Sequence, residues 1–320
     1  MAQSAEQRER FLIDPDKFRD PRLTADGEPR AWVRLRRLET LWFCTGTLCN
    51  LACENCYIES SPRNDALVYL GAAEVAAYLD EIRDQHLGTR LIGFTGGEPF
   101  MNPDLLPMLE DVLERGLEAL VLTNAMRPMD KHRQRLLALG QRHGERLALR
   151  VSLDHYSQDV HEQVRGRRSW KPAMAGLRWL VDSGFPVSVA GRMLSGETEP
   201  EVREGFARLF RREGITLDAR DPAALTLFPE MDARLDVPEI TEACWGKLRM
   251  SPDSVMCSSS RMVVKRKGAE APAVVACTLL PHDPRFELGR TLADAQRDVP
   301  LNHPHCARFC VLGGASCSGG

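Results

Sequence analysis

The sequence lacks any long hydrophobic run. No apolar stretch reaches the length of about eighteen residues that a membrane-spanning helix needs. The N-terminus, from Met1 to Glu6, is polar and has no apolar core of the kind found in a secretory signal peptide. Charge of one sign is also missing, since 42 Lys and Arg stand against 45 Asp and Glu, and the net charge of −3 offers no field for nucleic acid or an anionic membrane. We therefore expect a cytoplasmic protein with no membrane partner and no nucleic-acid partner.

The chain is long enough, at 320 residues of which 43% are hydrophobic, for one large core and a small appendage. It contains ten cysteines. Disulfides are not expected in a reducing compartment, and the grouping of the cysteines near the two ends of the chain favours metal ligation.

Three of these cysteines, Cys49, Cys53 and Cys56, are spaced so that their thiolates converge from one tight loop. Soft thiolates at this spacing select an iron-sulfur cluster or zinc. The neighbourhood offers no fourth ligand, and an open coordination position indicates chemistry rather than scaffolding. The alternatives are a zinc knuckle and three ordinary thiols.

Hydrophobic periodicity predicts an α/β fold in which strands and helices alternate six times. The helices have their own boundary signals, namely Asn102-Pro103 and Gly116 around one, and Thr198 to Pro200 and Gly214 around another. Right-handed crossovers then give a parallel sheet that curls into a partial (β/α)6 barrel, with ligands beyond the carboxyl ends of its strands. The predicted strands are Thr40 to Cys44, Leu91 to Thr95, Ala119 to Thr123, Leu147 to Leu153, Val187 to Arg192 and Leu225 to Phe228.

The cysteine triplet follows the apolar Leu41-Trp42-Phe43, and the turn Phe94-Thr95-Gly96-Gly97-Glu98-Pro99 comes about forty residues later. This combination resembles the radical S-adenosylmethionine (radical SAM) family. The resemblance implies a 4Fe-4S cluster on the three cysteines, whose open iron binds S-adenosylmethionine and splits it to a 5'-deoxyadenosyl radical that takes hydrogen from a substrate. It also implies an external electron donor of the flavodoxin or ferredoxin type.

The resemblance assigns further residues to S-adenosylmethionine. Gly96 and Gly97 have no side chain, so their backbone can approach a ligand closely, and Glu98 offers an acceptor for the methionyl amine. The alternative for this turn is an ordinary strand-to-helix connection with a solvated glutamate.

Polar residues at the predicted strand ends are candidates for the ribose and carboxylate of the cofactor. They are Asn124 after the third strand, Ser152 and Asp154 after the fourth, and Arg192 after the fifth. Ser152 and Arg192 are the preferred pair, because a hydroxyl suits ribose and a guanidinium can fork onto a carboxylate. Each of these residues is alternatively a cap for the following helix.

Two positions depart from the family pattern. The residue before the third cysteine, often aromatic in the family, is Asn55, and Tyr57 stands one step beyond as a candidate contact for the cofactor. The usual Thr-Asn-Gly after the third strand ends in Ala125, which predicts that the loop avoids a positive φ there.

The segment from His155 to Gly166 resembles the stretch that follows the fourth strand in members with a C-terminal cluster domain. His155, Tyr156, His161 and Arg165 are its candidates for substrate contact. The alternative is a helical connection with solvated charges.

The C-terminal region holds a second group of cysteines: Cys257, Cys277, Cys306, Cys310 and Cys317. A predicted hairpin of Met262 to Val264 and Ala273 to Val275 brings the first two together. The group resembles the SPASM or twitch extensions that hold auxiliary clusters, and it implies one auxiliary 4Fe-4S cluster. A zinc site that includes His303 or His305 is the alternative. We expect Cys44 and Cys244 to be buried.

The expected organisation is a leader (1–36) packed on the barrel, the radical SAM core (37–230) and a small cysteine-rich α+β domain (231–320). About forty residues before the first strand leave little room for a peptide-recognition domain, which favours oxidation of, or bond formation on, a small molecule. A peptide substrate, which a separate protein could present, is the alternative. A non-catalytic metal-binding protein and a synthase that transfers part of S-adenosylmethionine are two further hypotheses.

Overall fold

A computed structural model describes residues 12–194, 196–230 and 232–314, so the predicted ligand Cys317 lies outside the described residues. The strands are β1 Trp32–Val33, β2 Thr40–Cys44, β3 Leu91–Thr95, β4 Glu118–Thr123, β5 Leu147–Ser152, β6 Val187–Arg192, β7 Leu225–Phe228, β8 Ser260–Val264, β9 Ala273–Val275, β10 Glu287–Gly289 and β11 Val299–Pro300. The helices are α1 Ala72–Asp84, α2 Leu105–Glu114, α3 Arg127–Asp130, α4 Arg133–His143, α5 Gln158–Arg165, α6 Trp170–Asp182, α7 Glu199–Glu213 and α8 Ala243–Leu248.

The centre of the molecule is a parallel sheet in which β2 to β7 lie side by side in chain order. This arrangement, with helices in the connections, confirms the predicted partial barrel and its six strands. All five residues of β2 are buried, as a strand covered on both faces requires. Gly93 in β3 is needed for this packing, because a Cβ at that position would come within 2.2 Å of the Trp42 ring.

The predicted boundaries of α7 and the predicted end of α2 are confirmed. Thr198 and Glu201 form a capping box at the start of α7, and Gly214 ends that helix in the left-handed conformation. Gly116, with φ of 82°, follows the end of α2. The start of α2 differs from the predicted Asn102-Pro103, because Asn102 ends a preceding 3-10 turn and the helix begins at Leu105.

The C-terminal region contributes three strands to the central sheet. Strand β8 pairs in parallel with β2, and β9 and β10 add antiparallel strands beyond it, so nine strands share one sheet. The predicted β8–β9 hairpin is confirmed. The chain thus returns to the first barrel strand after more than two hundred residues, so strands on both sides of the boundary expected at 230/231 share one sheet.

The described part of the leader contacts the C-terminal region: β1 pairs with β11, Lys17 forms an ion pair with Asp236, and the buried Arg30 forms one with Glu239. Packing of the leader on the barrel stays a prediction. Nothing in the leader's composition indicated which surface it would cover. No helix among the described residues is both long and apolar enough to cross a membrane.

Candidate active site

The cysteine loop leaves the carboxyl end of β2 and is held by backbone hydrogen bonds to segments distant in sequence. The amide of Cys49 donates to the carbonyl of Ser61, and the amide of Glu54 donates to that of Val164 in α5. The loop forms one wall of a cavity at the carboxyl edge of the sheet, which measures about 1020 Å³ together with the open solvent at its mouth. Lining residues relevant to the predictions are Cys49, Cys53, Cys56, Tyr57, Gly96, Gly97, Asn124, Ser152, Asp154, Arg165 and Arg192.

The Gly96-Gly97 turn is clamped to the cysteine loop. The Gly97 amide donates to the carbonyl of Gly46 at 2.8 Å, and the Glu98 amide donates to that of Leu48 at 3.1 Å. A Cβ on Gly97 would come within 2.1 Å of the Leu48 carbonyl oxygen. The absence of side chains is therefore required by the approach of two protein loops, a reason that differs from the ligand approach inferred from the sequence.

Glu98 lies behind this turn and not among the residues that line the cavity. It is 1% exposed, and its carboxylate accepts hydrogen bonds from the hydroxyl of Thr123 and the amide of Asn124, both at 2.8 Å. Burial raises the pKa of Glu98 to about 7 despite these donors. The solvated glutamate considered for this turn is wrong, and the carboxylate holds the end of β4 against the turn instead of facing the cavity.

Two guanidinium groups surround one buried carboxylate in the cavity wall. Arg165 Nε lies 2.9 Å from Asp154 Oδ2, and Arg165 Nη2 donates to Asp154 Oδ1 at 3.0 Å. On the other side, Arg192 Nη1 donates to the carbonyl of Glu54 at 3.1 Å and lies 4.0 Å from Asp154 Oδ2. The wall next to the cysteine loop therefore holds two guanidinium groups around one buried carboxylate, with Ser152 beside them.

Two other positions near the cavity adopt the left-handed backbone conformation. Asn55 has φ of 52°, which an asparagine accepts readily. Ala125 has φ of 55°, so the expectation that the loop avoids a positive φ at this residue is wrong. The turn after β4 has a left-handed residue at this position, and the alanine there carries the backbone strain that a glycine would avoid.

Of the four candidates between His155 and Arg165, only Arg165 lines the cavity. His161 is 0% exposed, lies 5.4 Å from the Trp170 ring, and burial lowers its pKa to about 4. The Nδ1 of His155 accepts from the Ser157 amide, which leaves Nε2 to donate to Glu197 at 2.7 Å. The hydroxyl of Tyr156 donates to the same carboxylate. These three residues are structural in this arrangement.

Cys257, Cys277, Cys306 and Cys310 line one second cavity of about 330 Å³. Burial raises the pKa of Cys257 to about 11, and burial together with the charges of Cys277 and Cys257 raises that of Cys306. Within 12–194, 196–230 and 232–314, no three His, Cys, Asp or Glu side chains stand close enough to hold a single metal ion. The four thiols instead surround a space.

Cys44 and Cys244 differ in burial, and His303 and His305 differ in their position relative to the second cavity. Cys44 is buried as expected, whereas Cys244 is half-buried and its sulfur accepts from the Thr241 amide. His305 also lines the second cavity, while His303 does not. Sequence patterns gave no signal that distinguishes these two histidines.

The two cavities are neighbours. Leu279, just after the hairpin, lines both of them. Phe309 lines the first cavity from the π-helical segment Cys306–Val311, whose two cysteines line the second. Leu279 and Phe309 were missed by sequence reasoning, since a leucine and a phenylalanine in an apolar run have no feature that marks them as a partition between sites.

Comparisons with known proteins agree with this geometry. A family profile described as Radical SAM superfamily matches residues 44–209, just over half of the chain. The structure of Streptococcus suis SuiB bound to S-adenosylmethionine superposes with a TM-score of 0.58 at 12% identity, covering 78% of this chain and 63% of that one. Hexahistidine-tagged anSMEcpe with bound AdoMet gives a TM-score of 0.58 at 12% identity, covering 82% of this chain and 81% of that one. At these identities the likeness concerns the fold.

Curated relatives match over part of their length. The subtilosin biosynthesis protein AlbA of Bacillus subtilis is 32% identical over 143 residues, which are 44% of this chain and 30% of AlbA. The GTP 3',8-cyclase of Rhodococcus opacus is 32% identical over 175 residues, 53% of this chain and 47% of the cyclase. Mycofactocin maturase MftC of Mycobacterium tuberculosis is 25% identical over 169 residues, 53% of this chain and 41% of MftC. The chain spans less than half the length of each.

The first cavity has the donors that suit an iron-sulfur cluster with a nucleotide: three thiols from one loop, a glycine turn, a hydroxyl and two guanidinium groups. Thiolates in such a group are the ligands that iron-sulfur clusters use. The profile match covers the cysteine loop, the glycine turn and the strand ends together. The chain is therefore a member of the radical SAM superfamily, whose members are enzymes that use a 4Fe-4S cluster and S-adenosylmethionine.

Proposed function

We propose that this protein is a radical SAM enzyme that oxidises its substrate or forms a bond in it, with one auxiliary cluster beside the active site. The observation that carries the proposal is the contact between the two cavities: the cysteine loop lines one, four C-terminal cysteines line the other, and Leu279 lines both. An electron can cross such a short apolar partition without a mobile carrier.

In the first cavity, Cys49, Cys53 and Cys56 would hold the cluster. When bound, the cluster and S-adenosylmethionine supply a 5'-deoxyadenosyl radical. The chain's part is to bind and orient: the backbone of Gly96 and Gly97 would face the amino group, and Arg192 would offer donors to the carboxylate. The apolar wall formed by Phe309 and its neighbours keeps water from a reactive radical.

Other residues would contact the nucleoside. Ser152 lines the cavity at the end of β5, where its hydroxyl suits ribose, and Asn124 lines it one strand earlier. The Nδ2 of Asn124 donates to Asn50 Oδ1 at 2.9 Å, which also ties this strand end to the cysteine loop. Tyr57 lines the cavity two residues after Asn55 and is the aromatic group proposed for the adenine side.

The second cavity would hold the auxiliary cluster of a SPASM- or twitch-like extension. Cys257, Cys277, Cys306 and Cys310 supply four ligands, so Cys317 is not needed for closed ligation. A cluster with four thiolates has no open iron for substrate and suits electron transfer. Zinc is disfavoured because, among the described residues, no three His, Cys, Asp or Glu side chains stand close enough to hold one ion, as tetrahedral zinc with bonds of about 2.3 Å requires.

For the substrate we favour a small molecule, because the same cavity has to accommodate S-adenosylmethionine as well. A peptide side chain is the second candidate. It is supported by the relatives: AlbA acts in bacteriocin biosynthesis, MftC is a maturase, and SuiB has been crystallised with its precursor peptide SuiA. In either case a flavodoxin or ferredoxin would supply the electron.

Anaerobic reconstitution with iron counting and product analysis tests this function. The parent protein should contain about eight irons, falling to about four in Cys257→Ala/Cys277→Ala, for two cubane clusters. It should form 5'-deoxyadenosine under dithionite, and Cys49→Ala should form none. Cys244→Ala is the matched control, because Cys244 lines neither cavity.

Other outcomes would contradict the proposal. Colourless, zinc-loaded protein with no effect of Cys49→Ala would indicate a metal-binding protein without catalysis. Methylthioadenosine in place of 5'-deoxyadenosine would indicate a synthase that transfers part of the cofactor.

A further inference from the structure

Arg261 in β8 is a fully buried cation next to the second cavity. Its side chain is 0% exposed. Nη1 donates to the carbonyl of Cys257 at 2.5 Å and to that of Ser260 at 2.8 Å. Nε donates to the carbonyl of Ala295 at 2.9 Å, and Nη2 donates to that of Arg297 at 3.0 Å. Every acceptor is a neutral main-chain oxygen, so the hydrogen bonds fix the guanidinium but do not neutralise it.

This charge has no conventional partner. In the described part of the chain, no carboxylate forms an ion pair with Arg261, whereas the other fully buried arginine, Arg30, is paired with Glu239. An unpaired cation in the protein interior is unfavourable, so a negative group is expected nearby. The nearest groups that can carry a negative charge are Cys257 and Cys277, followed by Asp298. Burial keeps the free Cys257 thiol protonated, so the negative charge would come from cysteines that bind a cluster.

We propose that Arg261 is the built-in countercharge of the auxiliary cluster and raises its reduction potential. The inference rests on the proposed auxiliary site. Four thiolates around a cluster form an anionic centre, and each added electron makes it more negative. A buried cation that cannot move or be screened by water stabilises the reduced state more than the oxidised one. Arg261 would thereby make the auxiliary cluster in the second cavity a better acceptor for an electron that leaves the first cavity.

Arg261 also positions a ligand. Its bond to the Cys257 carbonyl holds the backbone at the residue that would bind iron, while its other bonds hold the 295–297 segment. A merely structural role would therefore reduce the amount of cluster that the protein binds. It would not change the potential of the clusters that remain, and this difference separates the two roles.

The test uses full-length protein in which Cys49, Cys53 and Cys56 are all replaced by Ala, so that the auxiliary cluster alone is present. Iron content is measured first, and the potential is then determined by a redox titration followed by electron paramagnetic resonance. Arg261→Gln should lower the equilibrium constant for reduction at least tenfold, which is about 59 mV for one electron. Arg261→Lys keeps the charge and should retain the parent potential, with reduced iron content.

Arg203 provides the control, because it too donates to two main-chain carbonyls, those of Ala219 and Leu225, but lies near the opposite edge of the sheet. Arg203→Gln should leave the potential unchanged. Unchanged potential in Arg261→Gln, or a tenfold loss in Arg261→Lys, would overturn the countercharge role. Should Arg261→Gln not fold, the uncharged variant Arg261→Met takes its place, with the same tenfold loss expected. Absence of iron from the triple-alanine protein would instead refute the auxiliary site itself.

Discussion

Gly97→Ala is the substitution that best tests how the glycine turn supports the cysteine loop. The added Cβ would lie 2.1 Å from the Leu48 carbonyl oxygen and 2.9 Å from that of Thr47. Both are backbone atoms, so no side chain can rotate away. Gly97 does not have a positive φ, and alanine is therefore not strained by its own conformation. The whole effect of the substitution comes from displacing the loop that carries Cys49.

The cysteine loop would have to move by about 1.3 Å, so that the distance between the new Cβ and the Leu48 carbonyl oxygen grows from 2.1 Å to an ordinary contact at 3.4 Å. Overpacking of this kind, together with the weakened bond from the Glu98 amide to Leu48, should lower the free energy of unfolding by about 2–4 kcal/mol. A displacement near 1 Å at a reacting centre costs about a hundredfold in rate. We expect a loss of that order in the formation of 5'-deoxyadenosine.

Urea unfolding of the iron-free protein measures the packing effect, and iron counting with product analysis measures the effect on the site. Gly246→Ala is the control, because a Cβ there meets no atom within 4 Å. In that helix alanine should stabilise the protein by about 0.5–1 kcal/mol. A Gly97→Ala protein with parental stability and full iron content would refute the clamp between the turn and the loop.

Three further predictions concern buried groups around the site. Burial raises the pKa of Glu98 from 4.5 to about 7, so the folded form holds more protons than the unfolded form between these two values. The free energy of unfolding of the iron-free protein should therefore fall by about 3 kcal/mol as pH rises through this interval. Urea titrations should show a flatter pH profile for Glu98→Gln, and parallel profiles would contradict the assignment. Ala125→Val should lower the free energy of unfolding by about 2 kcal/mol or more, because a β-branched residue would occupy a buried position with φ of 55°. An unchanged melting temperature would show that the turn relaxes. Arg165→Met should lower the free energy of unfolding by about 3–5 kcal/mol, because it leaves the buried Asp154 without its ion-pair partner. Adding Asp154→Asn should recover part of this loss, and additive effects in the double-mutant cycle would show that the two groups are not coupled.

The barrel was predictable because each of its strands is a continuous apolar run bounded by turn residues. Thr40–Cys44 and Leu91–Thr95 are found at the predicted bounds, since buried parallel strands leave this local pattern in the sequence. The pairing of β8 with β2 was not predictable. Parallel partners far apart in the chain share no local signal, and the same apolar run would suit any uncovered edge.

For the site, the sequence indicated which residues line the cavity but not which hydrogen bonds and ion pairs they form with each other. The cysteine loop, the glycine turn, Ser152 and Arg192 line one cavity as the strand-end rule predicts. Their binding roles stay predictions. The inward position of Glu98 and the bidentate pair of Arg165 with Asp154 depend on tertiary distances that no spacing encodes.

The parallel contact of Thr40 with Ser260 has a consequence for how the chain folds. It closes a loop of 220 residues, and such long-range closure is slow because its entropic cost precedes any gain. During synthesis β2 is therefore an exposed sheet edge until β8 emerges, and an exposed edge invites pairing with other chains. Truncation anywhere before residue 260 should leave that edge permanently open and convert the protein from a monodisperse species into aggregates.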